Sequence, residues 1–371
     1  MSVNHNRGRE PVRVAVVGLG YWGPNLVRNL HELGEAEIVW ACDVSEDALG
    51  TLGRRYPAVP RTTRLDRVLG DPDVEAVLIA TPVSTHYELA LDVLRAGKHA
   101  FVEKPLAASS SEAVELVEAA TERSLVLMPG HTFLYSPSVE MIREVLVSGE
   151  LGEIYFISTS RVNLGIHQPD VSVVWDLGPH DFSILRYWLG ELPTTVAAMT
   201  RGCLIPGTPD VAFVHLGFGS GTIAHVELAW LAPSKLRRTT IVGSDKMIVY
   251  DDTSNEPVRI FDTGARLSDP QTFGEYKLTY RTGDILSPKV AATEPLALQL
   301  RDFCRVIRDG GTLRSSAELG VDVVRVTESV DRSLELDGRP VRIEPIGADG
   351  DDELQLALRR ERGEGVLHKA L

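Results

Sequence analysis

The chain has 371 residues, enough for two or three domains of about 150 residues each. Its 38 basic and 52 acidic side chains give a formal net charge of −14, which opposes general binding to phosphate backbones. No apolar run approaches the ~18 residues of a membrane span, and the three scattered cysteines (Cys42, Cys203, Cys304) show neither zinc spacing nor a disulfide framework, so a reducing cytoplasm and no metal site are expected.

The polar start, "MSVNHNRGREP", predicts a disordered segment over residues 1–10. Strands and helices then alternate. "VRVAVVGL" (12–19) is a continuous apolar run, as in a strand buried on both faces, and "PNLVRNLHEL" (24–33) has helical spacing with Pro24 near its start. "EIVWACD" (37–43) is a second strand, "SEDALGTLGRRY" (45–56) a helix opened by serine and acids, and "VEAVLIAT" (74–81) a third strand. A helix over 86–98, a short strand over 99–105, a helix over 110–124 and a strand over 125–130 follow. Such repetition predicts a Rossmann-type, doubly wound parallel sheet over residues 11–130.

The pattern changes near residue 130. After a helix over 138–149 come alternating stretches at 152–164, 210–230, 237–251, 256–262 and 274–280, with "GSG" marking a hairpin turn inside the second. They predict an α+β domain over 131–347 with a large, mostly antiparallel open sheet, completed by helices near 294–309 and 316–335 and a strand over 340–346. Residues 348–371 form a charged tail.

The first strand runs into Gly18-Leu19-Gly20-Tyr21-Trp22-Gly23, directly before a helix. In that context Gly18 serves a tight turn, Gly20 admits a diphosphate close to the backbone, and Gly23 lets helix pack on strand. Asp43, 20 residues after Gly23, ends the second strand, where a carboxylate accepts hydrogen bonds from a ribose diol and repels the 2′-phosphate of NADP. NAD is therefore expected over NADP. Thr81 and Pro82 close the third strand on the ligand-binding edge of the sheet, with His86 beside them as a cofactor-side or helix-start residue. Glu103, Lys104 and Pro105 end a further strand on that edge: Lys104 is expected to point into the crevice, and Glu103 to pair with it or hold a ribose hydroxyl; a surface Glu-Lys pair is the alternative.

Asp176 and His180, four apart in "SVVWDLGPHDFSILRYWLG" (172–190), are either catalytic partners or a capping aspartate and a surface histidine. A helix starting near Pro179 would set Asp176 before its first turn and bury Phe182, Leu185, Trp188 and Leu189.

The glycine fingerprint, Ala80-Thr81-Pro82, Glu103-Lys104-Pro105 and Asp176-Leu177-Gly178-Pro179-His180 follow one another in this order. The chain thereby resembles the glucose–fructose oxidoreductase/inositol dehydrogenase (Gfo/Idh/MocA) family over about residues 10–346. The resemblance implies a Rossmann domain followed by an open-sheet domain, and hydride transfer at a secondary carbinol of sugars, nucleotide sugars or cyclitols. It matches Lys104, Asp176 and His180 to the family's active-site lysine, aspartate and histidine. Two departures stand out: many relatives have a triple glycine where this chain has "DVSVVW", and an aspartate at the position of Ser183. On this basis His180 is the expected base, Lys104 stabilises the developing oxyanion, and Asp176 orients His180 or a neighbouring hydroxyl.

The stretch "GHTFLYSPSVEMIREVLVSGELGEIYFISTSRVNLG" (130–165) looks like members of nucleotide-sugar metabolism, which implies oxidation at a ring carbon, often C3. Arg161, Asn163 and His167 fall near a substrate loop but read more simply as strand-end and loop residues. The alternatives are a cyclitol dehydrogenase, a keto-sugar reductase, or an NAD-binding sensor without turnover. The exposed sheet face and the resemblance both lead to an expected homodimer or homotetramer.

Overall fold

The computed structural model describes residues 10–165, 171–268 and 277–343. The described residues fold into two compact units, one within residues 10–135 and 294–324, the other within residues 136–293 and 325–343. Residues 1–9, within the expected N-terminal segment, the tail over 348–371 and His167 lie outside the described residues.

The first unit alternates strand and helix: β1 (Val12–Val17), α1 (Gly23–Glu32), β2 (Ala36–Cys42), α2 (Glu46–Arg55), β3 (Arg61–Thr62), α3 (Leu65–Gly70), β4 (Ala76–Ile79), α4 (His86–Arg95), β5 (His99–Glu103), α5 (Ser110–Glu122) and β6 (Leu127–Gly130). The strands pair in parallel in the order β3-β2-β1-β4-β5-β6. Val14 to Val16 and Ala76 to Ile79 are fully buried, which explains their unbroken apolar runs. The strand order reverses beside β1, so the loops after β1 and β4 flank the switch point where such sheets take ligands.

The second unit contains α6 (Pro137–Val147), β7 (Ile154–Leu164), α7 (Val173–Leu189), β8 (Pro193–Arg201), β9 (Val211–Phe218), β10 (Ile223–Ala229), β11 (Leu231–Gly243), β12 (Met247–Asp251), β13 (Val258–Phe261), the ribbon β14 (Gly264–Ser268) with β15 (Lys277–Arg281), and β16 (Ile285–Leu286). Then α8 (Pro295–Asp309) and α9 (Ala317–Glu335) lead to β17 (Val341–Arg342). Nine strands form one sheet in the order β16-β13-β12-β11-β7-β10-β9-β8-β17, mostly antiparallel, with β7 and β10 parallel. The Gly219-Ser220-Gly221 turn joins β9 to β10 as expected, while β14–β15 stands apart as its own ribbon.

Three features differ from the expectations. Strand β8 was missed: its apolar positions Val196 and Ala198 are too small and too interrupted by threonine and methionine to stand out. Helix α7 begins at Val173, not near Pro179, because the Ser172 hydroxyl accepts the Trp175 amide and caps it. Finally, the sequence pattern predicts one second domain over 131–347, whereas α8 and α9 as far as Val324 belong to the first unit. Arg28 on α1 grips Glu294 at 2.6 Å, and Phe303 packs edge-on against Phe101 of β5.

Candidate active site

The loop after β1 is built for close approach. Gly18 sits at φ +90, and a Cβ there would lie 2.6 Å from the Ala80 carbonyl oxygen; one on Gly23 would meet the Gly18 carbonyl oxygen at 2.0 Å. Gly20 opens onto free space and Tyr21 is 85% exposed. Helix α1 has neither a side-chain cap nor an acidic residue in its first turn, whereas α2 is capped by Ser45 and carries Glu46 and Asp47. The N-terminus of α1 thus keeps an uncompensated positive dipole end, a feature that favours a diphosphate, although Pro24 brings no N–H and the Asn25 amide donates to the Trp22 carbonyl at 2.9 Å.

Asp43 has a second role that its spacing did not reveal. Its carboxylate accepts the Leu19 amide at 2.6 Å and the Ser45 amide at 2.8 Å, tying the glycine loop to the end of β2. Each oxygen retains acceptor capacity, so the group can still receive ribose hydroxyls. These residues fit a nicotinamide dinucleotide.

After β4, Thr85 donates its hydroxyl to Thr81 Oγ1 at 2.7 Å, and Pro82 is exposed. His86, counted among the cofactor-side residues, is instead 1% exposed, with Nδ1 2.8 Å from the Pro105 carbonyl and Nε2 2.9 Å from that of Thr81. It lies between the loops after β4 and β5, and both ring nitrogens face protein carbonyls.

Strand β5 ends at Glu103, and the Lys104–Pro105 peptide is cis. Glu103 is 8% exposed, and burial pushes its carboxyl up to about 7, against the opposing pull of Lys104. One oxygen accepts the Lys104 amide at 3.3 Å. Trp22, half-buried at the head of α1, turns its indole toward this carboxyl. Lys104 is half-buried on the same edge.

In the second unit, Asp176 lies in the first turn of α7 and His180 one turn later, both half-buried. The two therefore share one helix face. Gly178 between them makes room for Phe182, whose ring would meet an added Cβ at 2.8 Å. Phe182, Leu185 and Trp188 are buried as expected, while Leu189 is half-buried. Trp230, 1% exposed, donates its indole N–H to Asp176 Oδ2 at 3.1 Å. This anchor escaped sequence reasoning; the available signal was a tryptophan ending a buried strand, whose N–H needs an acceptor.

Asp181 is a second anchor of this helix. It forms a buried ion pair, accepting from Arg161 Nε at 2.5 Å and from the Thr159 hydroxyl at 2.8 Å, and so pins the turn that carries His180 to β7. Arg161 therefore serves α7. The departures also acquire structural roles: Ser172 caps α7, and the Ser183 hydroxyl bonds back to the His180 carbonyl at 2.9 Å.

Residues 12–131 match the family model described as "Oxidoreductase family, NAD-binding Rossmann fold", and residues 139–249 match the GFO/IDH/MocA C-terminal domain. The chain is 26% identical to myo-inositol 2-dehydrogenase of Thermotoga maritima and 27% identical to UDP-N-acetylglucosamine 3-dehydrogenase of Acidithiobacillus ferrooxidans, each match covering 68% of this chain and 78% of the relative. Matches to two other curated relatives span 62% and 61% of their length. Among solved structures, GenD2 from gentamicin A biosynthesis in complex with NAD superposes with a TM-score of 0.78 at 26% identity, covering 91% of this chain and 97% of that one.

Proposed function

The chain belongs to the Gfo/Idh/MocA oxidoreductase family, and from that premise we propose that it is an NAD-dependent dehydrogenase acting on a secondary hydroxyl of a sugar or nucleotide sugar. The observation that carries this is the uncapped start of α1 beside the Asp43 carboxylate, in a parallel sheet whose edge also bears Lys104.

NAD supplies the hydride acceptor when bound. The chain holds it with the Gly18–Gly23 loop, Tyr21 and Trp22 included, with Asp43 on the adenosine ribose, and with Thr81, Pro82 and Glu103 along the edge. The negative charge of Asp43 disfavours a 2′-phosphate, so NAD is preferred over NADP. His180 accepts the proton of the reacting hydroxyl, and Lys104 donates a hydrogen bond to the oxygen as negative charge develops on it. Asp176, fixed by the Trp230 indole, orients His180 or a neighbouring hydroxyl.

The relatives named for UDP-N-acetylglucosamine and myo-inositol support a polyhydroxylated ring as substrate. We favour a nucleotide sugar oxidised at C3, with cyclitols as the second choice. The free thiols Cys42, Cys203 and Cys304 accord with a cytoplasmic location. The test is to incubate the protein with NAD or NADP and a panel of UDP-sugars, dTDP-sugars, free sugars and inositols, following reduced nicotinamide. NAD reduction with a ring hydroxyl substrate supports the proposal; bound NAD without turnover on any of them, or a clear preference for NADP, counts against it.

A further inference from the structure

Among the described residues on the carboxyl edge of the parallel sheet, His131, just after β6, holds two buried ring nitrogens with no hydrogen-bond partner. It is 1% exposed. The backbone and side chain beside it are hydrogen-bonded. The His131 amide donates to the Pro129 carbonyl at 2.9 Å, its carbonyl accepts the Leu134 amide at 3.1 Å, and the Thr132 hydroxyl donates to Gln299 Oε1 at 2.8 Å. Neither nitrogen of the imidazole is used in this way.

Its position is specific. Glu103 of β5 pairs with Gly130 of β6, so Lys104 and His131 are the next residues along the two strands. The strand ends are tight, since a Cβ on Gly130 would come within 2.9 Å of Glu103. Burial, reinforced by the positive charge of Lys104, pulls the imidazole down to about 3. The ring is therefore neutral near pH 7, with one donor and one acceptor to offer. An apolar side chain of similar size would fill the same space without the cost of two unsatisfied nitrogens. A polar group kept there at a cost to stability is the pattern of a functional site.

We propose that His131 is a ligand-binding residue, hydrogen-bonding through its imidazole to a neutral group of a bound small molecule that both donates and accepts: a carboxamide or a hydroxyl. The inference rests on the dehydrogenase function proposed above. A carboxamide would be that of the nicotinamide ring; a hydroxyl would belong to the substrate.

The full-length wild type is compared with His131→Phe, His131→Leu and His131→Gln. The readouts are NADH affinity by fluorescence titration, affinity of the NAD complex for UDP-N-acetylglucosamine and for myo-inositol by calorimetry, and the Tm of each ligand-free protein. If the partner is the carboxamide, the Phe and Leu variants bind NADH about 3- to 10-fold more weakly, and the deficit shrinks with the acetylpyridine analogue, which lacks the amide N–H. If it is a substrate hydroxyl, NADH affinity holds and affinity for the sugar or cyclitol falls by a similar factor. In both cases His131→Gln, which retains a donor and an acceptor, recovers most of the loss. The ligand-free Phe or Leu variant melts at or above the wild-type temperature. Unchanged affinity for every ligand in both apolar variants overturns the proposal, as does a loss that merely follows a lowered Tm. A wild type that binds no NADH would remove the dehydrogenase function itself, and this inference with it; failure of His131 alone leaves wild-type NADH binding intact.

Discussion

The Asp43 carboxylate shows how far a single residue can be read in advance. Its distance from the glycine loop pointed to a ribose ligand, because that inference depends on spacing along the chain. The two amides it accepts, from Leu19 and Ser45, depend on how the loop folds back and were invisible. Asp43→Ser should therefore do two things. It should narrow the NAD-over-NADP preference, worth about 1–3 kcal/mol, and lower the Tm of the ligand-free protein. Titration with both nucleotides alongside a melting curve checks this; an unchanged preference would leave Asp43 as a loop anchor only. Burial gives Glu103 a second measurable consequence. Its carboxyl keeps its proton to about 7 in the fold against an ordinary 4.5, so between those pH values the unfolded chain ionises first. Glu103 thus subtracts stability as pH rises through that window, by up to about 3 kcal/mol. His131, pulled down from 6.5 to about 3, has the opposite slope, subtracting stability as pH falls below 6.5. The readout is a difference: the urea-unfolding advantage of Glu103→Gln over wild type should grow from pH 4.5 to 7, and a constant difference would contradict it.

At the scale of elements, α7 was the hardest to place. Proline normally sits in the first turn of a helix, which made Pro179 look like a start. In the structure it lies inside the helix, tolerated because Ser172 caps the true beginning and Phe182 and Leu185 bury the following turns. The core face of α7 was legible through its apolar spacing, and the hairpin between β9 and β10 through its Gly-Ser-Gly turn. The anchors of the helix were not, because Arg161 reaches it from β7 and Trp230 from the junction of β10 and β11. Removing one member of the Arg161–Asp181 pair leaves a buried charge without its partner. Asp181→Ala should cost about 3–5 kcal/mol in urea unfolding, whereas replacing both members by apolar residues should cost much less. A loss below about 1 kcal/mol in the single variant would mean that the pair is screened as a surface pair is.

At the scale of the whole chain, the alternating pattern disclosed the parallel sheet and its change disclosed the second, but not the return of α8. That return depends on the partners Arg28 and Phe101, more than half the chain away in sequence. The nine-stranded sheet has one face packed by α7, which contacts β7, β9 and β10. The other presents Met199, Phe213, Ile223 and Phe156, with Met199 beside Phe213 and Ile223 beside Phe156 across the strands. An apolar face of this kind is expected to bury itself against a second copy. Light scattering at micromolar concentration should give a dimer or tetramer, and Met199→Lys with Ile223→Lys a smaller species with an unchanged far-ultraviolet spectrum; a monomeric wild type would contradict the expectation.

The central claim is that Lys104 and His180 carry hydride chemistry on a hydroxyl while the first unit holds NAD. It is tested most directly by kcat for NAD reduction in wild type, His180→Asn and Lys104→Met, using the best substrate from the panel and preparations shown to bind NADH. The expected result is a fall of roughly 10²–10⁴-fold in each variant with NADH affinity and Tm retained, and a double variant that loses less than the product of the two. Near-wild-type kcat in both single variants would contradict it.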